Sequence, residues 1–276
     1  MEIIMPILAD QHLHSSFSGD SDAKMSDMIE EGIRKGLKFM TFTEHMDLHF
    51  PVTEETPAGL FEVNTDSYLY DLLRYRAQYE DKIKILFGIE LGLQPDIIRE
   101  NLIYLKNHEF DFVIGSSHIC NGKDPYYPAF YENRTEREAL EEYFNCIIAN
   151  IDCFSNFDVY GHLDYIVRYC PSKGSNYSYA DYSDLIDTIL KKLLAKEKGI
   201  EVNTGDLFGS LNAPNPCKDI IARYFELGGE IITIGSDAHN AKDIASGFDV
   251  ICEMLKEIGF KYYSVFENRL PEYKRL

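Results

Sequence analysis

Apolar, β-branched runs recur along this chain, and most of them end in a short polar cluster built on histidine or a carboxylate. The clusters read Asp10-Gln11-His12-Leu13-His14, Thr43-Glu44-His45, Gly115-Ser116-Ser117-His118, Gly161-His162-Leu163-Asp164 and Gly235-Ser236-Asp237-Ala238-His239; they hold six of the eight histidines. Gly88-Ile89-Glu90 ends another run with a carboxylate in place of the imidazole. Histidine is the commonest protein ligand of transition metals, and carboxylates bridge such ions. Strands that all deliver these groups at one end describe a multinuclear metal centre at the mouth of a barrel.

The pattern between the clusters supports that architecture. Strands are predicted at Ile7–His12, Phe39–Thr43, Ile83–Glu90, Asp111–Ser116, Val159–Gly161, Ile200–Asn203 and Glu230–Gly235, with a further terminal strand at Tyr262–Phe266. Amphipathic segments intervene, among them Lys24–Lys35, Ser67–Tyr79, Glu136–Cys153, Tyr182–Lys198 and Ala241–Ile258, and Thr135 with Glu138 forms a capping box. Regular strand–helix alternation implies a parallel sheet. Helix-to-strand connections are short, whereas strand-to-helix connections are long at His45–Asp66, His118–Arg134, Asp164–Asp181 and Thr204–Asn215. That asymmetry belongs to a barrel whose site is built from βα loops at its C-terminal face. An open doubly wound sheet would gather ligands at one switch point instead. No linker or repeat interrupts residues 1–276, which read as a single domain.

Charge narrows the partners. The chain carries 46 acidic against 27 basic residues, a formal charge of −19, which argues against a nucleic-acid surface. An anionic substrate then needs a locally positive site, and divalent cations supply one. Met1 to Leu8 is apolar but lacks a basic region and reads as a strand, not a signal peptide. No run approaches the ~20 apolar residues of a membrane span. The six cysteines contain no Cys-x-x-Cys pair and read as reduced thiols of a cytoplasmic protein.

A lone buried histidine is more often hydrogen-bonded core than ligand. His12 and His14, two apart on a strand, face the same side. Equivalent clusters on the other strands make a shared site the economical reading. Glu90 follows Ile85-Leu86-Phe87-Gly88-Ile89, where a carboxylate is costly unless paired or metal-bound. Asp237 and His239 repeat the i, i+2 spacing.

The order HxH, TEH, GIE, GSSH, GH, VNT, GSDAH resembles the PHP superfamily of polymerase-associated and histidinol-phosphatase metal hydrolases. Within it, His12-Leu13-His14-Ser15-Ser16-Phe17-Ser18-Gly19-Asp20 is similar to the HxHSxFSxD opening of the monofunctional histidinol-phosphate phosphatases. Tyr160–Tyr169 and Gly228–His239 also resemble that family's segments. The resemblance implies a distorted TIM-like (β/α)7 barrel with two to three divalent transition-metal ions, Zn, Mn or Fe, at its C-terminal face. It implies a first ion on His12, His14, Glu90 and Asp237, a second on Glu90, His118 and His162, and a third on Asp20, His45 and His239. Asp20 stands where other branches of the superfamily carry histidine. Gly205–Asn212 departs from the short Ser-Gly-containing stretch common in the family, which bears on substrate detail beside Thr204.

The activity implied is hydrolysis of a small phosphate monoester, L-histidinol phosphate to L-histidinol and phosphate, with water or hydroxide held by the metal cluster as nucleophile. Catalysis falls to Asp237, His239, Glu90 and Arg168. Arg168, six residues past His162, is taken as an exposed loop side chain that clamps phosphate, because a guanidinium makes bidentate bonds to its oxygens. Asp20, Asp237 and the third-ion histidines are the candidates for protonating the leaving group. Tyr126, Tyr127, Phe130 and Tyr131 are candidates for stacking on an imidazole ring, although loop aromatics more often pack than recognise. His49 is a weaker substrate-contact candidate, and His108 reads as a surface residue at a helix end. The alternative substrate reading is another small phosphate ester or a nucleotide, cleaved by a phosphatase or phosphodiesterase of the same superfamily. A scaffold that has lost catalysis would have lost ligands. An amidohydrolase would place a lysine at a strand end, and none stands there.

Overall fold

The computed structural model describes residues 7–276. Of the expected first strand, the part before Ile7 lies outside the described residues. Seven parallel strands form a nearly closed barrel: β1 (Ala9–Leu13), β2 (Phe39–Phe42), β4 (Lys84–Gly92), β5 (Phe112–Ser116), β6 (Val159–Tyr160), β7 (Gly199–Asn203) and β8 (Ile232–Gly235), neighbours in that order. Between β2 and β4 in sequence, β3 (His45–Met46) takes over the pairing with β4 above the point where β2 stops, setting His45 opposite Glu90. The seam between β8 and β1 closes above the strands, where Asp237 N–H donates to the His12 carbonyl (2.9 Å) and His14 N–H to that of Ala238 (3.0 Å).

Helices α1 (Met25–Arg34), α2 (Thr65–Tyr79), α3 (Ile98–Lys106), α4 (Glu136–Cys153), α5 (Ser183–Ala195), α6 (Lys218–Glu226) and α7 (Phe248–Ile258) alternate with the strands. Every residue of β1, β5 and β7 is buried. Parallel strands covered on both faces read as near-continuous apolar runs, which is why their polar residues stand out. The capping box forms as expected: Thr135 Oγ1 accepts from Glu138 N–H at 3.2 Å, and Glu138 Oε2 accepts from Thr135 N–H at 2.7 Å.

Three details depart from the sequence reading. The helix expected over 241–258 is a 3-10 turn at Ala241–Asp243, and α7 starts only at Phe248, because Ala245 and Gly247 take left-handed φ angles of 51° and 73°. The terminal strand β9 (Tyr262–Glu267) is present, but it turns back into β10 (Leu270–Arg275), whose exposed, charged sequence carries no apolar signature. Gln11 of β1 fixes this hairpin by donating to the Ser264 carbonyl (2.6 Å) and accepting from Phe266 N–H (2.9 Å). Finally, Cys120 and Cys146 are paired as a disulfide, contrary to the expectation of thiols throughout; Cys153, Cys170, Cys217 and Cys252 are free. A separation of 26 residues hid the pair, since only the packing of the loop after β5 against α4 brings the two together.

Candidate metal centre

The barrel gathers all nine candidate ligands at the C-terminal ends of its strands. His12 lies on β1 and His14 just past it, both fully buried, and their Nε2 atoms are 3.0 Å apart. Glu90 enters from β4, His118 and His162 from the loops after β5 and β6, and Asp237 and His239 from the loop after β8. Asp20 approaches from the loop after β1 and is the most exposed of the set.

Distances among these side chains match a coordination shell. An ion held at about 2.1 Å by four tetrahedral ligands keeps those ligands roughly 3.4 Å apart. His12 Nε2 lies 3.3 Å from Glu90 Oε2 and 3.6 Å from Asp237 Oδ1; His14 Nε2 lies 3.5 and 3.4 Å from the same atoms. Glu90 Oε1 faces the other way, 3.1 Å from His118 Nε2 and 2.8 Å from His162 Nε2. Asp20 Oδ2 sits between His45 Nε2 (3.4 Å) and His239 Nε2 (3.2 Å). Glu90 Oε2 is buried and accepts no hydrogen bond. A desolvated carboxylate oxygen aimed at imidazole nitrogens is the arrangement a cation completes. The donor groups therefore fit a cluster of divalent ions, and several overlapping sets are able to hold one.

A second layer fixes which nitrogen faces inward in four of the six rings. His12 Nδ1 donates to Glu201 Oε1 at 2.5 Å, and His118 Nδ1 to Asp47 Oδ1 at 2.8 Å. His14 Nδ1 donates to Ser18 Oγ (3.0 Å), whose hydroxyl donates to Glu44 (2.6 Å). His239 Nδ1 donates to the Asp237 carbonyl at 2.9 Å. Each bond leaves the Nε2 lone pair for the centre. Glu201, Glu44, Ser18 and Asp47 were missed in the sequence reading of the site. Their signal was available, above all Glu201, a carboxylate inside the apolar strand Gly199-Ile200-Glu201-Val202.

Charge and burial act against each other here. Burial alone would lower the pKa of His12, but Glu201, Glu90 and Asp237 hold it well above the usual range. His118 is likewise raised to about 10, burial being outweighed by Asp47 and Glu90. His14 goes the other way: burial, with His239 and His45 as neighbours, lowers it to about 3 and keeps it neutral. Glu90, despite its burial, is held well below the carboxylate range by His12, His118 and His45. The backbone is also bent to the task, since His162 (φ 22°) and Asp237 (φ 54°) occupy the left-handed region, which favours glycine. Gly235 is required for a different reason: a Cβ there would strike the His12 side chain and lie 2.6 Å from Glu201 Oε1.

The centre opens into a cavity of about 330 Å³. Arg168 lines it, but not as the exposed loop side chain expected: only 13% of it is accessible. Its Nε donates to Asn215 Oδ1 and its Nη2 to Asn203 Oδ1, both at 2.8 Å, and its Nη1 to Asp237 at 3.4 Å. Gly205, opening the divergent segment, packs beside this guanidinium. Tyr126 and Tyr127 line the cavity, whereas Phe130 is buried in the core and Tyr131 packs against it. Tyr165 and Tyr169, not singled out in the sequence, complete the aromatic wall. His49 is absent from the cavity lining; it is exposed and pairs with Glu100 at 2.9 Å. His108, just beyond α3, donates to the Tyr104 carbonyl at 2.9 Å, as a helix-end residue does.

Comparison with known proteins places this geometry. Residues 10–205 match the PHP domain family. The chain is 35% identical to the probable histidinol-phosphatase of Clostridium acetobutylicum, over 96% of this chain and 98% of the relative. It is 33% identical to the histidinol-phosphatase of Lactococcus lactis, over 94% of each. The crystal structure of the Lactococcus lactis histidinol phosphate phosphatase, complexed with zinc, L-histidinol and phosphate, superposes with a TM-score of 0.88 at 31% identity, covering 96% of this chain and 98% of that one.

Proposed function

Because this chain belongs to the PHP domain family, and within it to the histidinol-phosphatases, we propose that it hydrolyses L-histidinol phosphate to L-histidinol and phosphate at a cluster of two or three divalent ions. The step belongs to histidine biosynthesis. The observation that carries the reading is the shell of His12, His14, Glu90 and Asp237, in which the two histidine Nε2 atoms stand 3.0–3.6 Å from each other and from the carboxylate oxygens, beside a largely enclosed arginine. These four would hold the first ion; Glu90 would bridge to a second on His118 and His162; Asp20, His45 and His239 would hold a third. Such ions, Zn, Mn or Fe, neutralise phosphoryl charge and lower the pKa of water toward ~7.

The chain's own residues do the rest. Arg168 has five N–H donors, and Asn215, Asn203 and Asp237 occupy three of them. The remaining donors serve phosphate oxygens. Asn215 is itself held by Asp164 at 2.6 Å, so the guanidinium is oriented before substrate arrives. Asp20, Asp237, His45 and His239 border the cavity and are the candidates for protonating the departing alcohol. Asp237, His239, Glu90 and Arg168 are the residues assigned to catalysis.

We assign the whole chain to one PHP barrel domain. Among the described residues no helix is long and apolar enough to cross a membrane; the strongly acidic composition speaks against a nucleic-acid binder, and we place this enzyme of a small-molecule biosynthetic step in the cytoplasm. The test is phosphate release from L-histidinol phosphate by protein stripped with a chelator and then reloaded. Activity should vanish and return with Zn or Mn, with two to three ions per chain by elemental analysis. One ion or fewer, with no activity regained, would overturn the assignment.

A further inference from the structure

Beyond the metal ligands, the cavity has a second chemical character. From His162 an aromatic chain runs outward: Tyr165 lies 5.0 Å from the His162 ring, Tyr169 5.0 Å from Tyr165, Tyr126 5.2 Å from Tyr169 and Tyr127 5.1 Å from Tyr126. Set into this wall is one carboxylate, Asp124, which also lines the cavity. Among the described residues no lysine, arginine or histidine nitrogen lies within ion-pairing distance of it, although most carboxylates around the centre have such a partner. Its one hydrogen bond comes from Tyr126 N–H, 2.7 Å from Oδ1. Partial burial raises its pKa to about 6, outweighing the bond from Tyr126 N–H and the more distant His118.

A half-buried acid sharing a cavity wall with tyrosine rings is an environment that recognises an organic cation, by charge-assisted hydrogen bonding and by attraction to the aromatic rings. The phosphate end of the cavity is already assigned to Arg168 and the ligand cluster. We propose that Asp124, with Tyr126 and Tyr169, forms the subsite that selects esters whose alcohol carries a cationic nitrogen, an amine or a protonated imidazole. This rests on the phosphate-monoesterase reading and deepens it: the metal cluster accepts any monoester, and Asp124 distinguishes among the alcohols.

Asp124→Asn is the informative variant, because the amide oxygen can still accept from Tyr126 N–H while the charge is gone. Two readouts apply to the metal-loaded enzyme. The ratio of kcat/KM for L-histidinol phosphate over that for phenyl phosphate should fall by about 10- to 100-fold, mainly through KM. Product inhibition by L-histidinol should weaken by a similar factor, while inhibition by inorganic phosphate stays within about two-fold. Asp124→Glu should recover part of the ratio. An unchanged ratio, or L-histidinol and phosphate inhibition weakening together, would overturn the subsite. Phosphoethanolamine, a second cationic ester, separates this from the substrate assignment. Should the parent enzyme prefer it to L-histidinol phosphate, the named substrate falls, and the subsite stands only if Asp124→Asn lowers the phosphoethanolamine-to-phenyl phosphate ratio.

Discussion

His12 donates through Nδ1 to Glu201 Oε1 at 2.5 Å, and both side chains are fully buried behind the metal centre. The bond fixes the tautomer of His12 and turns its Nε2 toward Glu90 and Asp237. Glu201 also accepts from His162 N–H at 2.9 Å, so one carboxylate orients groups of the first and second proposed ion sites. Glu201→Gln keeps the shape and removes the charge. Metal affinity should fall about 10- to 100-fold, measured by competition with a chromophoric chelator. Unchanged affinity would reduce Glu201 to a packing residue.

Arg168→Ala should lower kcat/KM by roughly 30- to 1000-fold, about 2–4 kcal/mol of lost charge-assisted bonding to phosphate, with metal content retained. Arg168→Lys should recover only part, since an ammonium cannot make the two-pronged contact. Because the side chain is enclosed by Asn203, Asn215 and Asp237, the alanine variant should also lose about 1–3 kcal/mol of stability. A near-normal kcat/KM would mean that the ions alone hold the phosphate.

Loading the centre should release protons. His12, His45 and His239 are raised above the usual imidazole range, and His118 to about 10, so in stripped protein at pH 7 they carry protons that ligation must displace. Apparent metal affinity should therefore rise with pH from about 6.5 toward 10. For stability the sign is opposite: the His118 pairing supports the stripped fold fully below pH 6.5 and is lost as pH rises through about 10. Titration calorimetry in buffers of different ionisation enthalpy counts the protons. Binding without proton release would contradict these pairings.

His49→Ala should change kcat/KM by less than about two-fold, since the ring is exposed on Glu100. His12→Ala should lower metal occupancy and activity together. A large effect at His49 would require the loop after β3 to fold over the cavity.

The sequence made the barrel and the gathering of its candidate ligands legible because parallel strands are apolar throughout. Against such a background, Glu90 or the His12–His14 pair has no role in packing. Glu201 escaped notice although it breaks its strand in the same way, because it serves His12 and is outside the family's ligand pattern. Arg168 was placed in the right region and given the wrong exposure. Its burial depends on Asn203 and Asn215, brought beside it by the antiparallel Asn203–Asn215 bridge, a contact that local spacing does not reveal. The Cys120–Cys146 pair and the β9–β10 hairpin were hidden for the same reason.

The central claim is tested most directly by kcat/KM of the reloaded enzyme across phosphate monoesters: L-histidinol phosphate, phosphoethanolamine, phenyl phosphate, a sugar phosphate and a nucleoside monophosphate. L-Histidinol phosphate should lead the phenyl, sugar and nucleotide esters by about 100-fold or more, the scale of one or two well-formed charged contacts to the alcohol, and should stand ahead of phosphoethanolamine. Comparable values across the panel would contradict the assignment and leave a metal phosphatase without a preferred alcohol.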